Sequence, residues 1–330
     1  MDVLFIGGTG NLSADCAALL RQRGHRVTLL TRGRLPVPAG YEALRADHAD
    51  AAAMLAALNG RSFAAVVNFI GYDVPDVRLD AELFRGRTRQ YVFISTTVVY
   101  RKPPARLPVT EAAPLGNEFS DYGRKKQACE DFLLERWRTT GFPVTIVRPS
   151  HTYSCQWIPN PVTSVGYTVA ARLEQGRPVF VHDDGQGLWT LTASADFAVG
   201  LAGLLGQAAA IGECFQITAD EVLTWNQILA EVALALGVER PHLVHIPSEF
   251  IAQVEPIMRD KLLGDKAHPG VFDNAKIKRA VPDFACPTSF RTGIRRSLAW
   301  FKADPARCQV NPQIDGIFDR VITAWEGRTR

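Results

Sequence analysis

Short, wholly apolar runs alternate with amphipathic stretches along the first 150 residues. Runs near 2–6, 26–30, 42–45, 64–68, 91–95 and 143–147 read as strands. Near-continuous apolar runs such as Val3-Leu-Phe-Ile6 are expected of parallel strands covered on both faces. Between them, segments near 12–23, 50–58, 76–85 and 120–139 carry helical spacing. This alternation predicts an α/β class: a doubly wound parallel sheet with helices on both faces. Past residue 150 the texture changes. Ser154–Val165 is a loop rich in proline and polar residues, 179–181 and 213–217 read as short strands, and 225–236 and 248–260 read as helices. Asp273 or Asn274 is placed to start a further helix. The change of texture divides the chain into a first lobe, 1–150, and a second, 151–330.

The turn after the first strand reads Gly7-Gly-Thr9-Gly10-Asn11-Leu12-Ser13. Gly7 allows a tight turn, and Gly10 lets a pyrophosphate approach the backbone. Ser13 stands where a third glycine is usual and is still small enough for close strand–helix packing. The helix that follows would point its N-terminus at the phosphates. Gly7, Thr9, Gly10, Asn11 and Leu12 are therefore candidate cofactor contacts. The second strand ends in Thr31-Arg32, without the acidic residue that grips ribose hydroxyls in NAD-preferring domains. A hydroxyl and a guanidinium suit a 2′-phosphate, so NADP(H) is favoured and NAD(H) is the second option. Asp47, after the third strand, is a candidate adenine contact.

Further along, the strand Tyr91–Ile94 leads to Ser95-Thr96, and Tyr122-x-x-x-Lys126 follows on the helical segment 120–139. Residues four apart share a helix face. A neighbouring ammonium would favour the phenolate and lower the tyrosine pKa. Such a tyrosine can exchange a proton with an alcohol or ketone near neutral pH. Thr96 would hold the same substrate oxygen.

With these motifs in order, the chain resembles an extended or atypical short-chain dehydrogenase/reductase of the NAD-dependent epimerase/dehydratase group. Gly7-x-x-Gly10, Asn68-Phe-Ile-Gly71, Thr96, Tyr122-x-x-x-Lys126 and Arg148-Pro149-Ser150 carry the resemblance, and Val99-Tyr100 after Thr96 sets Thr96 rather than Ser95 in the usual hydroxyl position. Thr31-Arg32-Gly33 and Val99-Tyr100-Arg-Lys102 are similar to the chloroplast stem-loop RNA-binding branch. The resemblance implies a Rossmann fold whose lobes interleave, a nicotinamide cofactor also touched by Asn68, Gly71, Pro149, Ser150 and His151, and catalysis by Thr96, Tyr122 and Lys126. It implies a substrate near Thr97, His151, Tyr153, Trp189 and Lys266. Enzymes of this group that act on nucleoside-diphosphate sugars hold the diphosphate with two arginines; this chain has Trp189 at one position and Leu262-Leu-Gly-Asp265-Lys266 at the other. A substrate without a diphosphate gains weight, with Trp189 available to stack on a sugar face. Thr97-Val98 supplies no additional acid, which disfavours 4,6-dehydration.

Composition narrows the choice further. Of 330 residues, 47% are hydrophobic and the net charge is only +3, so no basic patch argues for nucleic acid. The run Phe197–Gly206 is too short to span a bilayer and reads as a core helix. Six scattered cysteines without Cys-x-x-Cys suit reduced thiols, and the histidines show no metal-ligand spacing. With no signal peptide expected ahead of the first strand, these features predict a cytoplasmic protein without a membrane or metal partner. A homodimer is one assembly the sequence leaves open. The expected activity is NAD(P)-dependent oxidoreduction or epimerisation at a secondary alcohol or ketone of a sugar-like or keto small molecule. Two alternatives are a nucleotide-sugar epimerase/dehydratase and a catalytically idle RNA-binding or scaffold protein with a bound dinucleotide.

Overall fold

In the computed structural model, which describes residues 1–329, seven parallel strands form the main sheet. They are β1 (Asp2–Ile6), β2 (Arg26–Thr31), β3 (Glu42–Arg45), β4 (Ala65–Asn68), β5 (Tyr91–Ile94), β6 (Val144–Pro149) and a last strand, Cys214–Ile217. The spatial order is Cys214–Ile217, β6, β5, β4, β1, β2, β3. Val3 pairs with Val27 on one side and Ala65 on the other, so the order reverses at β1. In a doubly wound sheet that switch point opens a crevice at the carboxyl ends of the strands. Val3, Leu4, Phe5 and Ile6 are all fully buried, as a strand covered on both faces requires.

Helices α1 (Asn11–Gln22), α2 (Ala51–Leu58), α3 (Val74–Leu83) and α4 (Asp121–Thr140) lie within a residue or two of the sequence reading. Helix α1 buries Cys16, Ala17 and Leu20 against a core shared with Phe197 and Leu201. The apolar run after residue 196 is thus a core helix, Ser194–Leu204.

Residue 150 is not a clean cut. Cys214–Ile217 returns to extend the main sheet beyond β6, and Ile277 of the helix Ala275–Ala280 joins the same core. The second lobe has its own core around Trp189, Trp225, Phe290 and Phe318. The stretch read as one helix over 248–260 is broken. It runs Ser248–Val254, then Met258–Lys261, then a π-helical turn Leu262–Lys266. Pro256 explains the break, because it has no N–H to continue the ladder. Among the described residues no helix is long and apolar enough to cross a membrane.

Candidate functional site

At the switch point the strand ends frame a cleft lined by Gly7, Gly10, Asn11, Leu12, Ser13, Phe69, Ile70, Tyr72, Ser95, Thr96, Tyr122, Lys126, Pro149, Ser150, Thr152 and Trp157. Gly7 has φ +84°, and a Cβ there would stand 2.4 Å from Ile70 Cγ2, so only glycine turns the chain at this point. Gly10 is extended and caps α1; a Cβ on it would meet only Ser13 Oγ, at 3.4 Å. Its outer face is open. The Gly10 N–H donates to Ser13 Oγ at 2.9 Å, which ties the loop to the helix. Asn11 Oδ1 and Ser95 Oγ, both on cleft residues, are buried without a hydrogen-bond partner among the described residues. Open glycine backbone, a helix N-terminus and unpartnered polar atoms together fit a dinucleotide laid along this cleft.

Thr96 ends β5. Its Oγ1 accepts the Val98 N–H at 3.2 Å and caps the short turn Thr97–Val99, leaving its own O–H to donate. Ser120 caps α4 through the Gly123 N–H at 3.0 Å. Gly123 lets the first turn of α4 close on the Thr96 turn, since a Cβ there would stand 2.7 Å from the Val98 carbonyl oxygen. Tyr122, 38% exposed, therefore opens on the cleft near Thr96 and Tyr72. Lys126 is 2% exposed, and its Nζ donates to Gly71 O at 2.8 Å and Ile94 O at 2.7 Å. An ammonium has three donors, so one remains.

The electrostatics differ from the sequence expectation in one respect. Burial pushes the Tyr122 phenol above its ordinary pKa, with Tyr72 adding to the rise and the Thr96 hydrogen bond opposing it. The pKa is raised rather than lowered, because burial of the phenol is the largest influence on it. Lys126 itself is drawn down to about 8 by burial.

Asn68 acts at one remove. Its Oδ1 accepts from Ile70 N and Gly71 N, and its Nδ2 donates to Tyr91 and Asp80, so it shapes the turn whose Gly71 carbonyl holds Lys126. At the other end of the cleft, Thr31 Oγ1 accepts the Gly33 N–H at 3.2 Å. Arg32 and Arg45 are exposed around that turn, with the Arg45 Nε 2.6 Å from where a Gly33 Cβ would stand. Asp47 is exposed and caps its own turn through the Ala49 N–H. Arg148, whose motif pointed here, lies behind the cleft in a buried ion pair with Glu130 and a hydrogen bond to the Tyr100 hydroxyl.

The substrate candidates of the second lobe fare unequally. Trp189 is 4% exposed, and its ring packs on Trp225 and the Gly270 backbone, so it belongs to the core and offers no face for stacking. Its indole N–H, a donor only, gives its proton to His151 Nδ1 at 3.2 Å. His151 must then carry its proton on Nε2 and donate to Ser164 Oγ at 2.7 Å. Both ring nitrogens are used within the fold. Burial and the nearby Lys266 bring the His151 pKa down to about 3, which keeps the ring neutral. Tyr153 is buried against Phe290 in the same core. Thr97 is buried in the turn after β5 and does not line the cleft. Lys266 lies close to Asp265 and His151. The cleft walls formed by Phe69, Ile70, Tyr72, Thr152 and Trp157, and Arg45 at the β2 end, were not singled out from sequence. Trp157 does lie in the loop Ser154–Val165, which the sequence places close to a substrate, and Phe69 and Ile70 lie within the Asn68–Gly71 motif. Among the described residues no group of three or more His, Cys, Asp or Glu side chains is arranged to hold a metal ion, and the six cysteines are free.

Comparison with known proteins agrees with this fold. The family model described as NAD dependent epimerase/dehydratase family matches residues 3–217. The chain is 27% identical over 286 residues to a 2′-dehydrokanamycin reductase of Streptomyces kanamyceticus, covering 86% of this chain and 79% of that protein. It is 26% identical over 264 residues to the chloroplast stem-loop binding protein of 41 kDa b of Arabidopsis thaliana, covering 75% of this chain and 67% of that one. A short-chain dehydrogenase/reductase superfamily protein from Agrobacterium tumefaciens, solved with bound NAD, has the same fold, with a TM-score of 0.70 and 19% identity over 94% of this chain and 100% of that one. A glycine-turn dinucleotide cleft on a seven-stranded parallel sheet, matched by that family model over nearly two thirds of its length, makes this chain a member of the NAD-dependent epimerase/dehydratase family.

Proposed function

We propose that the chain is an NAD(P)(H)-dependent oxidoreductase that interconverts a ketone and a secondary alcohol on a sugar-like compound, with Tyr122 as the acid/base. The observation that carries this reading is that Thr96, Tyr122 and Lys126 open on the same cleft as the Gly7–Ser13 loop. Gly10, Asn11 and the start of α1 would hold the pyrophosphate, Lys126 the nicotinamide ribose, and Pro149 and Ser150 the nicotinamide wall. The bound nicotinamide would supply or accept the hydride. Thr96 donates its O–H to the substrate oxygen and orients it toward Tyr122. A phenol whose pKa is raised by burial keeps its proton at neutral pH. It can therefore give that proton to a forming alkoxide, the step that ketone reduction needs. A reductase among the relatives supports the same direction.

Arg32 and Arg45 beside Gly33, with no carboxylate from the end of β2, support NADP(H) over NAD(H). Buried Trp189, Leu262 and Leu263 stand where arginines would clamp a diphosphate, which supports a substrate lacking that group.

A thermal-shift screen with NADPH and NADH, then a panel of ketones, tests the reading. Tyr122→Phe should keep cofactor binding and lose on the order of 10²–10⁴-fold in kcat. Near-normal turnover by that variant would remove Tyr122 from the mechanism. RNA binding without any cofactor-dependent turnover would favour the scaffold alternative.

A further inference from the structure

Two charged side chains, one on a turn packed against the start of α4 and one facing it, play no part in the scheme above. Lys102 follows the turn after β5 and is only 5% exposed, and Asp265 lies in the π-helical turn Leu262–Lys266. Lys102 Nζ and Asp265 Oδ1 are 3.9 Å apart. A charge-assisted hydrogen bond is about 2.7–2.9 Å long, so this pair is attracted without touching. Neither head group makes a hydrogen bond to any other described residue. Lys102 is buried and the Asp265 side chain is 23% exposed, so a partly desolvated pair keeps donors and acceptors to be met. Burial draws the Lys102 pKa down and pushes that of Asp265 up, as expected for head groups left without such partners.

The turn that carries Asp265 is pinned to the elements that carry the candidate catalytic residues. Asn117 Nδ2 donates to both Gly264 O, at 2.7 Å, and Val98 O, at 2.8 Å. Asp260 accepts from Ser120 Oγ at 2.7 Å and from Asp121 N at 2.9 Å, at the start of α4. The position of Asp265 is thereby set relative to both Thr96 and Tyr122, and its charge is felt by the phenol. Single π-turns of this kind recur at functional sites.

We propose that Lys102 and Asp265 together bind a hydroxyl group of the substrate, beside the carbonyl on which Tyr122 acts. The hydroxyl oxygen accepts from the Lys102 ammonium and its proton is donated to the Asp265 carboxylate. A hydroxyl is a small group that donates and accepts at one atom, which opposed charges 3.9 Å apart require. A group that only accepts would leave the Asp265 carboxylate without a donor, and a group that only donates would leave the Lys102 ammonium without an acceptor. This rests on the oxidoreductase reading and narrows its substrate class to hydroxylated ketones and their polyols.

The test compares pentahydroxycyclohexanone with cyclohexanone in wild type, Lys102→Met, Asp265→Asn and Tyr122→Phe, with melting curves and cofactor affinity as controls. Wild type should prefer the hydroxylated ketone by tenfold or more in kcat/KM, about one charge-assisted hydrogen bond. Lys102→Met and Asp265→Asn should each erase that preference by raising KM for the hydroxylated ketone far more than for cyclohexanone, with cofactor affinity kept. A variant that keeps the wild-type preference, or a wild type that has none, overturns the hydroxyl site and leaves the oxidoreductase reading intact. If Tyr122→Phe retains turnover while the other two variants lose the preference, the hydroxyl site stands and the acid assignment falls. Should neither ketone turn over, calorimetry of pentahydroxycyclohexanone into NADP⁺-saturated protein decides: binding lost in both variants supports the site, and no binding by wild type refutes it.

Discussion

Replacing Gly123 with alanine adds one methyl group at the point where α4 meets the Thr96 turn. In an open helix the change would stabilise by about 1 kcal/mol, because alanine loses less backbone freedom than glycine. Here the new Cβ would stand 2.7 Å from the Val98 carbonyl oxygen and 3.2 Å from Val98 Cγ1. Ordinary contact begins at 3.4 Å, so the two elements must part by about 0.7 Å. They resist, because Asn117 Nδ2 holds the same carbonyl and Ser120 Oγ holds the Gly123 N–H. Overpacking of this kind costs about 1–3 kcal/mol. Set against the helical gain, the net change runs from about zero to a loss of about 2 kcal/mol. The functional effect should be larger than the loss of stability suggests. Tyr122 adjoins Gly123, and Thr96 Oγ1 is bonded to the Val98 N–H. A misplacement of 1 Å costs roughly 10²-fold in rate, so 0.7 Å should cost about tenfold or more in kcat. Denaturant unfolding, cofactor titration and steady-state kinetics on a ketone turned over by wild type would report the three effects separately. A variant that melts higher and keeps wild-type kcat would refute the reasoning, since the contact would then relax without moving either hydroxyl.

Three further outcomes follow from the site. Arg32→Asp and Arg45→Asp should each weaken NADP(H) binding more than NAD(H) binding in calorimetry; equal losses for both cofactors would place neither guanidinium at a 2′-phosphate. Lys126, depressed by burial from 10.5 to about 8, binds fewer protons folded than unfolded between those values, so its contribution to stability is fully present above that window and lost as pH falls through about 8. Lys126→Met should remove that rise from the stability–pH curve of the cofactor-free protein, and an unchanged curve would contradict the burial argument. Trp189→Ala should cost about 3–5 kcal/mol by emptying a core position, seen in denaturant unfolding; a raised KM with unchanged stability would instead put the indole against substrate.

Much of the fold and cleft could be read locally. The run Val3–Ile6, the conformation Gly7 alone can adopt, and the four-residue spacing of Tyr122 and Lys126 are set by covalent neighbours and by strand and helix periods. These are properties of short segments, and the structure reproduces them nearly to the residue. Pro256 should have been read as a break in the second-lobe helix, because a missing N–H is equally local. What the tertiary structure alone decided depends on which segments meet. Cys214–Ile217 became the seventh strand because β6 offered it an edge. Trp189 became core because Trp225 and Gly270 close over its ring. The Tyr122 phenol rose in pKa because burial outweighed the hydrogen bond from Thr96. Lys102 and Asp265, 163 positions apart, face one another only because Asn117 and Asp260 bind the π-turn and the helix before it to the start of α4. Desolvation and charge pairing act through space, across loops whose closure no local pattern encodes, so they emerge only once the chain is folded.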